Sequence, residues 1–336
     1  MKTIVIAPIK NEAWILPYTL KNFSDFADHV IVADQKSVDN TKEICSKFEK
    51  VTVIDNPYNG YTNEVRFLLL DEARKIPGNN LIVQLDADEF INPDFVLEIK
   101  SIIEKEKPSS AIAFSTEWLQ LYYDDNSYRI DGVWKNNYKH FAFFDDRIVD
   151  YNRNRITNEH INRIPNIKNV RELSLPILHL QSLAVKRCEL KQALYMCNEL
   201  NEGWDPRKTN NRYSVSQFSK TAKTKKLVPE WKKGVDLPDQ KTYTTYDETK
   251  LKDIFSLFEL RGAAFFEPLN IWHIEELSDY FVQETGTKPT KIKTFPSWLI
   301  FLNNIKNKVK NSIFKWYTTV NLVIHEKGFK KLRKAQ

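Results

Sequence analysis

Leu81-Ile82-Val83-Gln84-Leu85-Asp86-Ala87-Asp88-Glu89-Phe90 is the stretch on which the fold turns. Its first half is apolar and β-branched, too short for a helix, and follows the breaker Pro77-Gly78-Asn79-Asn80, so it reads as a buried strand. Three carboxylates in four residues close it. Open α/β sheets bind ligands at the carboxyl ends of their strands. Asp86 and Asp88, two apart in extended backbone, can point the same way and share one hard cation. Glu89 is expected to orient the loop. The competing explanation is an acidic turn capping the helix after Asn92-Pro93-Asp94.

Upstream, the chain alternates. Residues 3–9 read as a buried strand, and Asn11-Glu12 opens a helical pattern through about Phe23. His29 to Asp34 is a second strand, ending in a carboxylate. Ser37-Val38-Asp39-Asn40-Thr41 supplies caps for a helix over 41–48. Val51 to Ile54 is a third strand. Asn63 to Lys75 is helical, with Val65, Leu68, Leu69 and Ala73 spaced to face a sheet. Alternation at this spacing predicts parallel βαβ units joined by right-handed crossovers. No Gly-x-Gly-x-x-Gly and no Walker loop is present, which argues against a dinucleotide fold and a phosphate-loop enzyme.

Four of these segments together resemble family 2 glycosyltransferases. Pro8-Ile9-Lys10-Asn11-Glu12 is similar to their Pro-x-x-Asn-Glu opening, and Val32-Ala33-Asp34-Gln35-Lys36-Ser37-Val38-Asp39-Asn40-Thr41 to their Val-x-Asp-Asp-Gly-Ser-x-Asp-x-Thr segment. Asn63-Glu64-Val65-Arg66-Phe67 resembles the Arg-bearing helix of the lipopolysaccharide-core-like branch. Leu85-Asp86-Ala87-Asp88-Glu89-Phe90 resembles that branch's metal motif. The resemblance covers residues 3–183. It implies an α/β fold of the GT-A type, a central mostly parallel sheet with flanking helices and a helical C-terminal extension. It also implies a nucleotide-sugar donor and a divalent metal, manganese or magnesium. Pro8, Asn11, Glu12, Asp34, Arg66 and Asp86 would face the donor, Asp34 as nucleobase contact and Arg66 at the diphosphate. Gln35 and Lys36 depart from the family's acidic and Gly positions. Capping alone accounts for Asp39.

Beyond the acidic strand, Phe95–Lys105 reads as a helix and residues 111–114 as a strand. Residues 116–150 are aromatic and strand-like, the acceptor wall of the resembled fold, with Trp118, Trp134 and Tyr138 as sugar-stacking or core residues. Phe143-Phe144-Asp145-Asp146, then Asn158-Glu159-His160, then Pro176-Ile177-Leu178-His179 resembles a branch pattern of Phe-x-x-Asp, a His-Glu turn and Pro-x-x-His. It implies Glu159 as catalytic base, with Asp146 and Asp145 as competitors. His179 would be a metal or diphosphate ligand alongside Asp86 and Asp88, or else a satisfied core histidine. The chain divides into 1–183 (catalytic), 184–296 (helical and loop-rich) and 297–336 (a basic amphipathic C-terminal helix region).

Three cysteines form no disulfide framework and fit a reducing compartment. The opening apolar run is too short for a signal peptide, and no run approaches a membrane span. From Phe301 onward there are nine basic residues against Glu326 alone, a local balance of +8 in a chain of net +6. The remainder is thus near neutral, which excludes a basic nucleic-acid-binding surface spread through the fold. In the tail, Trp298, Leu302, Ile305, Val309, Ile313, Trp316, Val320 and Val323 share one helical stripe, with Lys308, Lys310 and Lys315 off it. That pattern suits either packing on its own domain or an interfacial helix, 298–334, on an anionic membrane. The resulting expectation is a metal-dependent, inverting transferase that moves sugar to a hydroxyl of a glycan or glycolipid. It would work in the cytoplasm, at the inner face of the membrane, in surface polysaccharide or lipopolysaccharide synthesis. The rivals are a nucleotidyltransferase and a non-catalytic, membrane-peripheral glycan-binding module.

Overall fold

The computed structural model describes residues 1–58, 62–153, 163–214, 222–244 and 247–290. The first half runs β1 (Thr3–Ile9), α1 (Leu16–Phe26), β2 (His29–Asp34), α2 (Thr41–Cys45), β3 (Val51–Asp55), α3 (Glu64–Ala73) and β4 (Leu81–Gln84). Next come β5 (Glu89–Ile91), α4 (Phe95–Glu106), β6 (Ile112–Tyr122), β7 (Asp124–Arg129) and β8 (Tyr138–Phe144). The rest is β9 (Val170–Glu172), β10 (Ile177–His179), α5 (Val185–Asn201), α6 (Pro206–Ser214), β11 (Thr224–Lys226), α7 (Gln240–Tyr243), α8 (Glu248–Arg261) and α9 (Glu275–Thr285).

The sheet order β4-β1-β2-β3 is wholly parallel, as the alternation requires. Period-2 side chains divide its two faces. Val5, Ala7, Val30, Val32 and Val83 pack on Leu16, Leu20 and Phe23 of α1 and on Phe95, Val96 and Ile99 of α4. Ile4, Ile6, Ile31 and Ile82 pack on Val65, Leu69, Leu70 and Ala73 of α3. From β1 the chain steps to β2 and β3 on one side, then returns to place β4 on the other. The crevice between the carboxyl ends of β1 and β4 is therefore the topological switch point, where such sheets hold ligands.

Beyond β4 the sheet turns antiparallel through β8, β6, β7 and β11. Strand β6 also pairs with β10, and β10 with β5, so a smaller sheet grows from the end of the acidic loop. A separate core of Leu190, Ala193 and Cys197 with Ile254, Phe258, Leu277 and Phe281 ties α5, α8 and α9 together. Residues Met1–Thr287 form one compact unit.

Two local expectations are corrected. The first helix begins at Leu16 rather than Asn11: Asn11 stands at φ 53°, and residues 12–15 form a turn that presents Pro17 to the first helical turn. Residues 204–250 hold short helices as expected, but Thr224–Lys226 adds an unforeseen strand to the sheet edge beside β7. Its residues are all exposed, so no alternation marks it.

Candidate active site

The acidic loop leaves β4 at Gln84 and re-enters the smaller sheet at Glu89. The register sets Glu89 opposite His179 and His179 opposite Gln120, so three polar side chains from β5, β10 and β6 share one face. Trp118, two residues before Gln120 on β6, joins them. Its Nε1 donates to Glu89 Oε1 at 2.5 Å, and its ring stacks on His179 with centroids 4.2 Å apart. Trp134 stacks on Trp118 at 5.7 Å. Trp118 is buried, with both rings stacked on it and Lys139 Nζ 5.2 Å from its ring centre, so it is a core residue.

Glu89 is fully buried and is the pivot of the loop. It accepts from the Asp86 N–H (3.0 Å), from Arg163 Nη1 (2.5 Å) and Nη2 (2.7 Å), and from Trp118. Arg163 Nη2 also reaches Asp86 Oδ2 at 2.9 Å. The Gln84 amide lies beneath, between the Arg66 guanidinium and the Arg163 carbonyl, and satisfies both with oxygen toward Arg66 and nitrogen toward the carbonyl. Burial raises the Asp86 carboxyl, but the Arg163 and Arg66 guanidinium groups outweigh it and hold the group below the ordinary range.

Asp88 faces the other way. Its Oδ2 lies 3.3 Å from His179 Nε2 and 3.9 Å from Lys191 Nζ of α5. Burial again opposes ionisation, and His179 and Lys191 overcome it, holding Asp88 far below the usual carboxylate range. His179 Nδ1 lies 2.6 Å from Gln120 Oε1, while Gln120 Nε2 donates to the carbonyls of Leu121 and His179. That leaves Oε1 as acceptor and the proton on Nδ1. Nε2 is thereby left facing Asp88, where one cation would meet both ligands.

Two ligands about 2.1 Å from one ion, at right angles, stand roughly 3 Å apart. The Asp88–His179 spacing fits that geometry, and a hard cation takes its other positions from water and phosphate oxygens. Asp86 keeps 33% side-chain exposure but is turned to Arg163. Among the described residues no three His, Cys, Asp or Glu side chains are gathered as a ready cage. A protein pair completed by a ligand is the arrangement these residues suit.

The loops after β1 and β2 are laced together. Asn11 Oδ1 accepts from the Val38 N–H (2.9 Å), Asn11 N–H donates to Ser37 Oγ (2.8 Å) and Glu12 N–H to Thr41 Oγ1 (3.0 Å). Asp39 accepts from Thr41 N–H and Ala13 N–H, the bridging cap expected of it. Lys36 occupies the family's Gly position at φ 53°, where L side chains are uncommon. Asp34 is buried. Its Oδ2 accepts from Ser37 N–H (3.2 Å) and meets Lys42 Nζ (3.4 Å), while Oδ1 has no hydrogen-bond partner among the described residues. Pro8 lies within β1, opposite Ala33. Glu12 sits beside Asp88 and Lys191 and accepts from Trp14 Nε1 at 2.7 Å. Burial, above the Lys250 and Lys191 charges that oppose it, pushes the Glu12 carboxyl up.

Asp145 receives both Nε and Nη2 of Arg74 (2.9 and 2.7 Å) and the Arg147 N–H. Asp146 accepts three backbone N–H groups, from Ala111, Ile148 and Val149, each at 2.9 Å. Both are spent holding the turn after β8. Glu159 and His160 lie outside the described residues, as does the 298–334 stripe.

The domain family described as "Glycosyl transferase family 2" matches residues 4–161. That segment is similar to family 2 glycosyltransferases. It contains β1 to β8 and the loops between them, and the mixed α/β sheet described above is the kind expected of that family. An uncharacterized glycosyltransferase of Rickettsia bellii is 29% identical over 121 residues, 36% of this chain and 39% of the relative. One from Rickettsia conorii is 26% identical over 121 residues, 36% of this chain and 41% of its own length. The chain thus spans about two fifths of the relatives it matches. Among solved structures, S. aureus TarS 1–349 in complex with UDP is 16% identical, covering 84% of this chain and 90% of that one, at a TM-score of 0.39. Glucosyl-3-phosphoglycerate synthase from Mycobacterium tuberculosis, with Mn2+, UDP and glucosyl-3-phosphoglycerate, is 18% identical, covers 34% and 44%, and scores 0.28.

The matched segment holds Gln120 but ends before His179, Arg163 and Lys191, three residues of the candidate site that follow it in sequence. Sequence reasoning found His179 and missed the other three. For Lys191 a signal exists in the spacing Arg187, Lys191, Tyr195, one helix face. For Arg163 there is none.

Proposed function

We infer that the chain is a glycosyltransferase that moves a sugar from a nucleotide donor to a hydroxyl of a glycan or glycolipid. The observation that carries this reading is the loop at the β1–β4 switch point, with Asp88 and His179 spaced as adjacent ligands of one cation. Asp34, with an unshared buried oxygen at the end of β2, supports a nucleobase N–H contact at the other end of the crevice. Asp86, Asp88 and His179 would hold manganese or magnesium, which neutralises charge on the departing diphosphate. Arg66 and Arg163 keep Asp86 ionised and placed. Gln120 fixes the His179 ring.

In transfer, the acceptor oxygen bonds to the anomeric carbon as the carbon–oxygen bond to the diphosphate breaks. The electron pair leaves on the diphosphate, and a carboxylate takes the hydroxyl proton. One displacement inverts the anomeric centre. Glu159 is the proposed base, because Asp145 and Asp146 are committed to Arg74 and to backbone N–H groups. Surface polysaccharide or lipopolysaccharide synthesis is the proposed setting. Among the described residues no helix is long and apolar enough to cross a membrane, and contact with anionic lipid is assigned to 298–334 on its sequence pattern alone.

A thermal-shift panel of sugar nucleotides, with and without manganese, tests the reading, since a ligand of the native state raises its stability by mass action. The expected result is a shift with one nucleotide class that is enlarged by manganese. A panel with no shift, or a shift only with nucleoside triphosphates, contradicts it.

A further inference from the structure

We propose that Lys191 of α5 is a donor-binding residue that holds the diphosphate of the nucleotide sugar beside Asp88. The inference rests on the transferase reading and adds a residue beyond the matched family 2 segment.

Lys191 is set apart from its neighbours by its unfilled donors. Three cations act on Glu12, namely Lys250, Lys191 and Arg187, and of these Lys191 also acts on Asp88. Arg187 is committed, with Nη2 2.8 Å from Asp247 Oδ2 and its guanidinium 4.9 Å from the Trp14 ring centre. Lys250 is committed to the same carboxylate oxygen at 2.5 Å. Lys191 makes no hydrogen bond among the described residues. Its ion-pair partner is Asp88 Oδ2 at 3.9 Å, beyond hydrogen-bond reach, the Tyr195 hydroxyl and Glu12 lie close by, and its side chain keeps 25% exposure. An ammonium has three protons to place and no acceptor capacity. Here it stands at the mouth of an acid-lined loop with all three unplaced by described groups.

The occupant follows from charge. Asp86, Asp88, Glu89 and Glu12 would repel a diphosphate, and Arg163 is already divided between Asp86 and Glu89. A cation at Asp88 and His179 offsets part of that repulsion. Lys191 flanks the same Asp88 oxygen from α5, so an anion bridging cation and ammonium meets positive charge on two sides. Phosphate oxygens accept from lysine as a point charge, without the planar geometry an arginine demands. The structural alternative is that Lys191 only balances Glu12 and Asp88. That role requires charge at the position but predicts no effect on an added anion.

The test measures inorganic pyrophosphate binding by calorimetry in the presence of manganese, and manganese binding alone, for the full chain, Lys191→Gln and Lys191→Arg. Melting temperature serves as a folding control. One charge-assisted hydrogen bond lost corresponds to pyrophosphate affinity falling about tenfold or more in Lys191→Gln. Manganese affinity should change less than about threefold, and Lys191→Arg should recover most of the pyrophosphate affinity. Equal pyrophosphate affinity in Lys191→Gln and wild type overturns the proposal. So does a wild-type protein that binds no pyrophosphate, or a manganese loss as large as the pyrophosphate loss. If Lys191→Gln does not fold, Lys191→Arg decides: pyrophosphate affinity within about threefold of wild type supports the proposal, and a tenfold loss overturns it. No donor enters this experiment. A failed transferase reading, seen as no turnover of any sugar nucleotide by wild type, is therefore distinguishable from a failed Lys191 assignment.

Discussion

Glu89→Gln is the perturbation that most sharply separates this site from a generic acidic turn. Glu89 is fully buried, and four donors converge on it: Asp86 N–H, Trp118 Nε1, and both terminal nitrogens of Arg163. A glutamine keeps the volume but brings an NH2 group to face donors on one side, and it leaves Arg163 with a diminished counter-charge at 12% side-chain exposure. Breaking a buried ion pair by removing one partner costs about 3–5 kcal/mol. For a domain of this size each kcal/mol moves the melting temperature by about 2 °C or slightly more. The expected drop is therefore roughly 6–10 °C, read by scanning calorimetry, and donor turnover should fall with it because Asp86 loses its tether. Glu89→Asp should fare little better, since the shorter side chain cannot reach all four donors. A Glu89→Gln protein that melts within about 2 °C of wild type and turns over normally would refute the pivot role.

Other outcomes follow from the same geometry. Gln120→Leu removes the acceptor of His179 Nδ1 and should weaken manganese binding by about 10- to 100-fold, measured by calorimetry, with the fold retained. Asp146→Ala should cost about 1–2 kcal/mol, as loss of a cap does, yet leave transfer within a factor of two, since its oxygens serve backbone N–H groups. Burial opposes ionisation of Asp146, but those N–H groups hold its carboxyl low. Its contribution is thus present above the unfolded pKa of about 3.9 and is lost as pH falls through the lower folded value. The melting gap between wild type and Asp146→Ala should accordingly narrow below about pH 4. Glu159→Gln should keep the nucleotide-plus-manganese thermal shift while transfer falls by about two to four orders of magnitude. Truncation after Pro296 should release the protein from anionic vesicles in a flotation assay and leave donor hydrolysis intact.

The parallel half of the sheet was legible because each buried strand is a short β-branched run bracketed by caps and breakers, and local chemistry sufficed. Asp34, Asp86 and Asp88 were legible for the same reason: each stands at or just past the carboxyl end of such a run. The first helix was extended too far because Asn11-Glu12 mimics a cap, whereas the left-handed Asn11 is used to tie the β1 turn to Val38. Trp118 was read as either a sugar-stacking or a core residue, and it is core. Nothing local reveals that His179 stacks on it, because that contact depends on the register of β10 against β6. Arg163, Gln120 and Lys191 escaped for a related reason. They reach the acidic loop from segments 32 to 103 residues away along the chain, and no periodicity in their own neighbourhoods encodes the partner.

The most direct measurement of the central claim is product identification. Wild type and Asp88→Asn are incubated with the sugar nucleotide that gives the largest thermal shift, with manganese or with chelator, and the nucleotide product is resolved by chromatography. The account predicts nucleoside diphosphate from wild type with manganese, and almost none from Asp88→Asn or in chelator. Pyrophosphate as the product, or undiminished nucleoside diphosphate from Asp88→Asn, would contradict it.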